Sequence, residues 1–160
     1  MAASESRGRR ALCMAVLLMA AAQLAACATP RALCARGSVP RAIAINSEPG
    51  TNHGRPIAVD LVFATDPSVS RALSALTARD YFGQREQLRV RFPKGLMMVS
   101  WELQAGQYVP NTGLEPPCGV LGTLIFADYA SAGDHRISLH GARAGTLVLG
   151  ADDMSWFRMD

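Results

Sequence analysis

The fold is decided by residues 55–64, RPIAVDLVFA, in which large apolar side chains stand at every second position. These side chains belong to Ile57, Val59, Leu61 and Phe63. Successive side chains of a β-strand point to opposite faces, so a period of two with β-branched residues predicts a strand with one buried face. Asp60, between two of the apolar positions, is interpreted as a residue of the opposite, outward face.

Short segments of the same kind flank this strand on both sides. The further predicted strands lie within residues 41–47, 87–92, 96–103, 120–130, 135–140, 145–150 and 154–159. Residues that favour turns separate them, as in the loop at 47–54 and in the Pro-Lys-Gly turn at 93–95. Residues 104–119 contain three prolines and are interpreted as a long loop.

One helix is predicted to follow the strand at 55–64. Asp66 is a suitable N-cap residue, and Pro67 suits the first helical position because its missing N–H needs no partner there. Apolar residues then recur at helical spacing: Val69, Ala72, Leu73 and Leu76. The pattern predicts a helix near residues 67–79, with a further aromatic turn at 77–84.

Together these segments predict a mainly β protein. Short strands separated by frequent turns are typical of a two-sheet β-sandwich, here with one inserted helix. The rival fold is a small α+β domain in which the helix covers a single sheet. Residues 41–160 are expected to form this one domain.

The N-terminal segment has the order of parts that a secretory signal needs. Arg7, Arg9 and Arg10 precede the apolar run at 11–22, and small residues follow before Cys27. The run is shorter than the roughly 20 residues that a membrane-spanning helix needs. Residues 1–26 are therefore expected to be a signal peptide that is removed.

The sequence Leu-Ala-Ala-Cys at 24–27 resembles the lipobox of bacterial lipoproteins. In that class the cysteine thiol takes a diacylglyceryl group, and acyl chains such as palmitate hold the protein on a membrane. Cys27 is thus predicted to be lipidated, with residues 27–40 as a tether, and Ala28 favours the outer membrane. The alternative is that Cys27 is a small core residue of a chain beginning at Met1.

Charge and cysteines constrain the remaining chain. The full sequence has 16 basic and 13 acidic residues, and removing residues 1–26 takes away three arginines and one glutamate, leaving 13 against 12. Such a balance gives no support for nucleic-acid binding. Cys34 and Cys118 are predicted to pair in an oxidising compartment, and the alternative is two reduced, buried thiols.

No catalytic or metal-binding arrangement is visible in the sequence. His135 and His140 fall on opposite faces of one predicted strand, and His53 lies in a polar loop where solvent is expected to surround it. His135 is interpreted as a hydrogen-bonded or edge residue. The protein is therefore predicted to be neither an enzyme nor a metal or cofactor carrier.

Several motifs in this order resemble the outer-membrane lipoprotein family of the type VI secretion system. After the lipobox come an asparagine-led turn, a Gly-Arg-Pro segment, an Asp–aromatic–Phe unit after a short helix, and a late strand ending in Ala-x-Tyr. The matching residues are Asn46 or Asn52, Gly54, Arg55, Pro56, Asp80, Tyr81, Phe82, Ala127 and Tyr129. The resemblance covers roughly residues 41–140.

The resemblance implies a transthyretin-like sandwich and a scaffold role, with the lipid at the outer membrane and the domain in the periplasm. It also implies that the loop between the first two strands binds the periplasmic part of an inner-membrane partner. The residues of that loop are Glu48, Pro49, Gly50, Thr51, Asn52, His53, Gly54 and Arg55. The alternative is a binding or assembly lipoprotein of another envelope complex that uses the loop at 104–117.

Overall fold

The computed structural model describes residues 39–159, which form eight strands and two α-helices. In chain order the elements are β1 (Ala42–Ser47), β2 (Ile57–Ala64), α1 (Pro67–Ser74), α2 (Ala78–Arg91), β3 (Leu96–Leu103), β4 (Tyr108–Gly113), β5 (Gly122–Ala127), β6 (Arg136–Ser138), β7 (Ala144–Leu149) and β8 (Met154–Met159). Cys27, Cys34 and the predicted signal peptide lie outside the described residues.

The strands form two four-stranded sheets, so the predicted β-sandwich is confirmed. The first sheet has the order β4-β1-β7-β8, and the second has the order β3-β2-β5-β6. All neighbouring strands are antiparallel except β1 and β7, which run parallel from Ala42↔Ala144 to Ser47↔Leu149. The first and the seventh strands therefore lie side by side at the centre of one sheet.

The main core fills the space between the two sheets. The alternate apolar residues of β2 point into it, as the period of two predicts, and they meet Ile43, Ile45, Ile125, Leu147 and Leu149. Each of these side chains is fully buried. At roughly 1.5–3 kcal/mol for each large apolar side chain, this burial is the main force holding the sheets together.

A second core lies between the outer face of β2 and β5 and the two helices. Val62, Leu73, Tyr81 and Phe126 are fully buried there. The rings of Tyr81 and Phe126 stack with centroids 4.1 Å apart and an interplanar angle of 7°. Strand β2 is thus buried on both faces, whereas the sequence interpretation gave it only one.

The helical region differs from the prediction in two ways. The start at Asp66 is confirmed, since its side chain accepts hydrogen bonds from the backbone N–H groups of Ser68 and Val69, but the helix ends at Ser74. A separate helix, α2, then runs over Ala78–Arg91 and is capped by the Thr77 side chain, which accepts from the Asp80 N–H.

The predicted strand at residues 87–92 is therefore wrong. Its alternating apolar residues do not share a face: Leu88 is buried in the second core, whereas Val90 is 81% exposed. The Thr77 cap and the packing of Tyr81 and Leu88 fix the helix, and tertiary packing overrides the local alternation.

The interpretation of residues 104–119 as one long loop is also wrong in part. Strand β4 occupies Tyr108–Gly113 and pairs with β1, with an irregular register between Ile43 and Ile45. Pro110 is tolerated there because β4 is an edge strand. Most of its side chains are exposed, so it carries none of the apolar alternation that marks a half-buried strand.

The strand directions give the sandwich two different ends. Strand β1 starts beside Arg143 and Leu114, which share backbone hydrogen bonds with Arg41, and we call this the entry end. At the other end, which we call the loop end, lie the connections 48–56, 104–107, 128–135 and 150–153. Six residues of β1 separate the ends by roughly 20 Å.

Candidate partner-binding site

The loop between β1 and β2 contains a tight left-handed turn at Thr51–Gly54. Asn52 and His53 have φ angles of 47° and 55°, and Gly54 follows at 78°. Asparagine and histidine are among the few non-glycine residues that visit this region, and two in succession are uncommon. Such a turn persists only where its surroundings hold it firmly.

Two buried polar side chains hold this turn. The Thr51 hydroxyl donates to the Leu149 carbonyl at 2.6 Å. Asn52 donates through Nδ2 to the Pro56 carbonyl at 3.0 Å and accepts through Oδ1 from the Ala130 N–H at 2.9 Å. Since Asn52 binds both its own loop and the one after β5, it fixes the shape of the loop end.

The other six residues of the predicted partner loop are exposed, namely Glu48, Pro49, Gly50, His53, Gly54 and Arg55. The sequence placed all eight residues in one exposed loop, but Thr51 and Asn52 are 0% and 3% exposed. These two can shape a contact surface but cannot themselves touch a partner. The loop is thus a rigid support with an exposed outer side.

The loop between β7 and β8 supplies partners that sequence reasoning missed. Asp152 Oδ1 lies 2.8 Å from His53 Nε2, so His53 is within hydrogen-bonding distance of a carboxylate as well as solvent-exposed. The Asp152 carbonyl accepts from the Ser131 hydroxyl at 3.0 Å, and the Asp153 carbonyl accepts from the Tyr129 hydroxyl at 2.8 Å. The turn sequence Gly-Ala-Asp-Asp at 150–153 was the available signal for this third loop.

His135 is buried beneath these loops, as the hydrogen-bonded interpretation requires. Its Nε2 lies 3.2 Å from the Ser131 carbonyl, and its Nδ1 lies 3.5 Å from Asp153 Oδ1. Its ring packs 4.6 Å from that of Tyr129. Burial and the nearby Asp153 carboxylate raise the pKa of Tyr129, which therefore stays a neutral hydrogen-bond donor.

The loop end carries an excess of negative charge. Its carboxylates are Glu48, Asp128, Asp134, Asp152 and Asp153, against the two arginines Arg55 and Arg136. Five against two leaves three uncompensated negative charges on one end of the molecule. A surface of this kind attracts a basic partner surface over distances of about a Debye length, or 8–10 Å.

Asp60 contradicts its interpretation as an outward-facing residue. It is fully buried on the helix-covered face of β2, where its Oδ2 accepts from the Tyr81 hydroxyl at 2.7 Å and lies 3.5 Å from Arg85 Nη1. Burial, together with the charge of Asp60, raises the pKa of Tyr81. The apolar neighbours Ala58 and Val62 on the same face were the signal that this face is covered.

The predicted Cys34–Cys118 pair stays a prediction, because Cys34 lies outside the described residues. Cys118 lies in the connection between β4 and β5, at the entry end of the sandwich. A bridge from there to Cys34 would tie the predicted tether to the end where the chain enters.

The described part of the chain offers neither a group of metal ligands nor a membrane-spanning helix. Within residues 39–159, no three histidine, cysteine or acidic side chains are grouped so that they could hold a metal ion. In the same part of the chain, no helix has the length and hydropathy to cross a membrane.

Comparison with solved structures identifies proteins of the same fold. The Serratia marcescens Lip protein, a membrane-bound component of the type VI secretion system, superposes with a TM-score of 0.55 at 14% identity, over 73% of this chain and 96% of that one. The type VI secretion lipoprotein TssJ1 of Pseudomonas aeruginosa gives 0.54 at 15% identity, over 76% and 98%.

A chain from a type VI membrane complex gives a TM-score of 0.58 at 12% identity, over 74% of this chain and 99% of that one. No protein-family model matches the chain, and no curated protein matches it by sequence. The fold implied by the resemblance in the sequence is confirmed: this chain has the β-sandwich of the type VI secretion lipoproteins.

Proposed function

We propose that this protein is a lipid-anchored scaffold of a type VI secretion apparatus. In this proposal residues 1–26 are removed, acylated Cys27 lies in the periplasmic face of the outer membrane, and residues 27–40 tether the domain. The loop end then binds the periplasmic part of an inner-membrane protein of the apparatus. No catalytic step is part of this role.

The observation that carries the proposal is the left-handed turn at Thr51–Gly54, held by buried Thr51 and Asn52. A loop that is already fixed loses little conformational entropy when a partner binds, so more of the contact energy appears as affinity. The exposed side chains of His53 and Arg55 stand on this rigid turn. Loop rigidity of this kind suits a permanent structural contact.

The directions of the strands bear on which end of the domain is free to meet a partner. The first strand of the sandwich begins at Ala42, and the loop end lies at the opposite pole, roughly 20 Å away. In this proposal the lipid is joined to the domain through the entry end, and the loop end is left free to meet a partner.

The anchor is tested with Cys27→Ala. This variant is expected to leave the outer-membrane fraction and to abolish secretion, because no other acylation site is proposed. Mass spectrometry of the wild-type N-terminus should find an acylated Cys27. Normal secretion by the Cys27→Ala strain, or a mature chain that keeps residues 1–26, contradicts the proposal.

The contact is tested with the double variant His53→Ala/Arg55→Ala. Pull-down of the periplasmic part of the inner-membrane partner is expected to weaken by about tenfold, because both exposed side chains of the rigid turn are lost. The matched control is His140→Ala/Arg143→Ala, which removes the same residue types at the entry end. Equal binding by the two double variants would place the contact elsewhere, for example at the loop 104–117.

A further inference from the structure

A cleft of about 380 Å³ lies beside α2, and the residues that line it belong to none of the loop-end connections. Helices α1 and α2 cover the outer face of β2 and β5, but they leave a strip of the edge strand β3 open. The cleft is lined by Arg85, Arg89, Pro93, Leu96, Met98 and Ser100. It therefore combines two guanidinium groups with an apolar floor and one hydroxyl.

A buried carboxylate positions the first of these arginines. Asp60 lies under α2 with Oδ2 bonded to the Tyr81 hydroxyl and 3.5 Å from Arg85 Nη1. Its Oδ1 is buried and has no hydrogen-bond partner within residues 39–159. Burying a carboxylate contributes less to stability than an apolar side chain of similar size would. Its evident effect here is to hold Arg85, which stays one-third exposed at the cleft.

The two arginines already share a carboxylate at the surface. Glu86 Oε1 lies 3.7 Å from Arg85 Nε and 3.3 Å from Arg89 Nη1, with 70% of its side chain exposed. Residues 85–94 carry four basic side chains, and Glu86 and the buried Asp60 offset two of them, which leaves a local excess of two positive charges. Glu86 thus marks the position of a carboxylate that both arginines can bind.

The strand beside the cleft is open on one side. Strand β3 pairs with β2 at eight successive positions, and among the strands of residues 39–159 it has no other neighbour. Two other edge strands are poor templates, since β4 contains Pro110 and β6 has only three residues. A long, regular edge with free backbone groups can accept an extended peptide as a further strand.

We propose that the edge of β3 and this cleft bind an extended, acidic peptide segment of a partner protein. The segment pairs with the β3 backbone and places acidic side chains of alternate residues against Arg85 and Arg89. Alternate residues of a strand are about 6.6 Å apart, and side chains four apart on a helix are about 6 Å apart, so the two spacings match. Leu96 and Met98 would pack against the aliphatic parts of these acidic side chains.

The experiment uses the full chain purified in a neutral detergent and two labelled six-residue peptides. One peptide alternates glutamate with valine, and the other alternates lysine with valine. Fluorescence anisotropy is expected to detect binding of the glutamate peptide alone. Hydrogen exchange should slow at the β3 amides when that peptide is bound, because they gain partners.

Three variants distinguish binding at this cleft from nonspecific electrostatic attraction of the peptide to the protein. Arg89→Glu is expected to weaken the glutamate peptide by about tenfold or more, since repulsion replaces attraction. Glu86→Gln removes the competing carboxylate and should tighten binding by about two- to fivefold. Arg71→Glu makes the same charge change on the exposed face of α1 and should alter binding by less than about twofold.

The proposal is overturned by any of three results: equal binding of the lysine peptide, equal losses in Arg89→Glu and Arg71→Glu, or unchanged exchange at the β3 amides. Arg89 and Glu86 are 58% and 70% exposed, so both variants should fold with wild-type unfolding midpoints. These outcomes do not depend on the loop end, because His53 and Arg55 do not line the cleft. Failure of this proposal can therefore be distinguished from failure of the proposed function.

Discussion

The loop end and the buried site under α2 both contain polar side chains that are shielded from water. The two regions differ in how completely the hydrogen bonds of these side chains are satisfied. At the loop end, neutral Thr51 and Asn52 meet backbone groups that satisfy their hydrogen bonds. Under α2, the charged Asp60 has one hydrogen bond, one long contact with Arg85, and one oxygen without a partner within residues 39–159.

The difference separates two uses of buried polarity. Satisfied neutral groups fix the shape of a loop at low cost, since each hydrogen bond lost to water is replaced. A partly satisfied carboxylate weakens the fold around it and is useful only through the charge that it positions. The loop end therefore presents a shape, and the site under α2 presents a charge.

The largest expected change in stability is at the site under α2. Tyr81→Phe removes the hydroxyl that donates to Asp60 and should lower the free energy of unfolding by about 2–3 kcal/mol, because a buried carboxylate loses this donor. Urea unfolding measures the change. Tyr108→Phe, which removes an exposed hydroxyl, should stay within about 0.5 kcal/mol of wild type. Matching losses in both variants would mean that Asp60 does not depend on Tyr81.

A smaller loss is expected at the loop end. Asn52→Ala removes two hydrogen bonds and puts alanine at a left-handed position, so it should cost about 1–2 kcal/mol. Asn111→Ala, in an exposed part of β4, is the control. Hydrogen exchange should also show faster exchange at the Ala130 amide, whose acceptor is lost. An unchanged Ala130 amide in the variant would contradict the role given to Asn52.

Asp66 is an exposed carboxylate whose hydrogen bonds are satisfied, and it provides a contrast with the buried Asp60. Hydrogen bonds from the Ser68 side chain, then from the backbone of Ser68 and Val69, lower the pKa of Asp66 below its usual value of 3.8. The stabilising effect of ionised Asp66 is therefore complete above pH 3.8 and is lost as the pH falls through the folded-state pKa. Asp66→Asn keeps an acceptor but does not titrate.

The measurement for Asp66 is the urea midpoint at pH 5 and at pH 3. The wild type should lose more stability between these pH values than Asp66→Asn does. Parallel losses in the two proteins would show that other carboxylates determine the acid sensitivity.

The smallest effect concerns the exposed contact between His53 and Asp152 at the loop end. His53 and Asp152 are 59% and 65% exposed, so a double-mutant cycle of His53→Ala and Asp152→Ala should give a coupling energy of about 0.5 kcal/mol or less. Raising the salt concentration should reduce even this value. A coupling above about 1 kcal/mol would mean that the pair, and not the buried residues, holds the loop.

Much of the fold could be predicted because apolar periodicity survives wherever one face of an element is buried. Strands β1, β2, β3, β7 and β8, and the start of α1 at Asp66, were found in this way. Alternation failed at residues 87–92, where Leu88 packs and Val90 does not. It also failed at β4, whose exposed edge position leaves no periodic signal.

Less of the candidate site could be predicted. The loop at 48–55 is visible as a run of turn residues, but the burial of Thr51 and Asn52 depends on Leu149 and Ala130, which are distant in sequence. The same holds for Asp152, which reaches His53 across the loop end. Such contacts follow from the topology of the two sheets, and no local pattern encodes them.

The parallel pairing of β1 with β7 constrains the order in which the chain can fold. A chain that is synthesised from its N-terminus completes residues 42–47 long before residues 144–149 are available to pair with them. Until then β1 lacks its neighbour β7 and exposes apolar side chains, which favours aggregation. A late docking of β7 beside β1, which can only follow the synthesis of most of the chain, is the expected consequence for the folding rate.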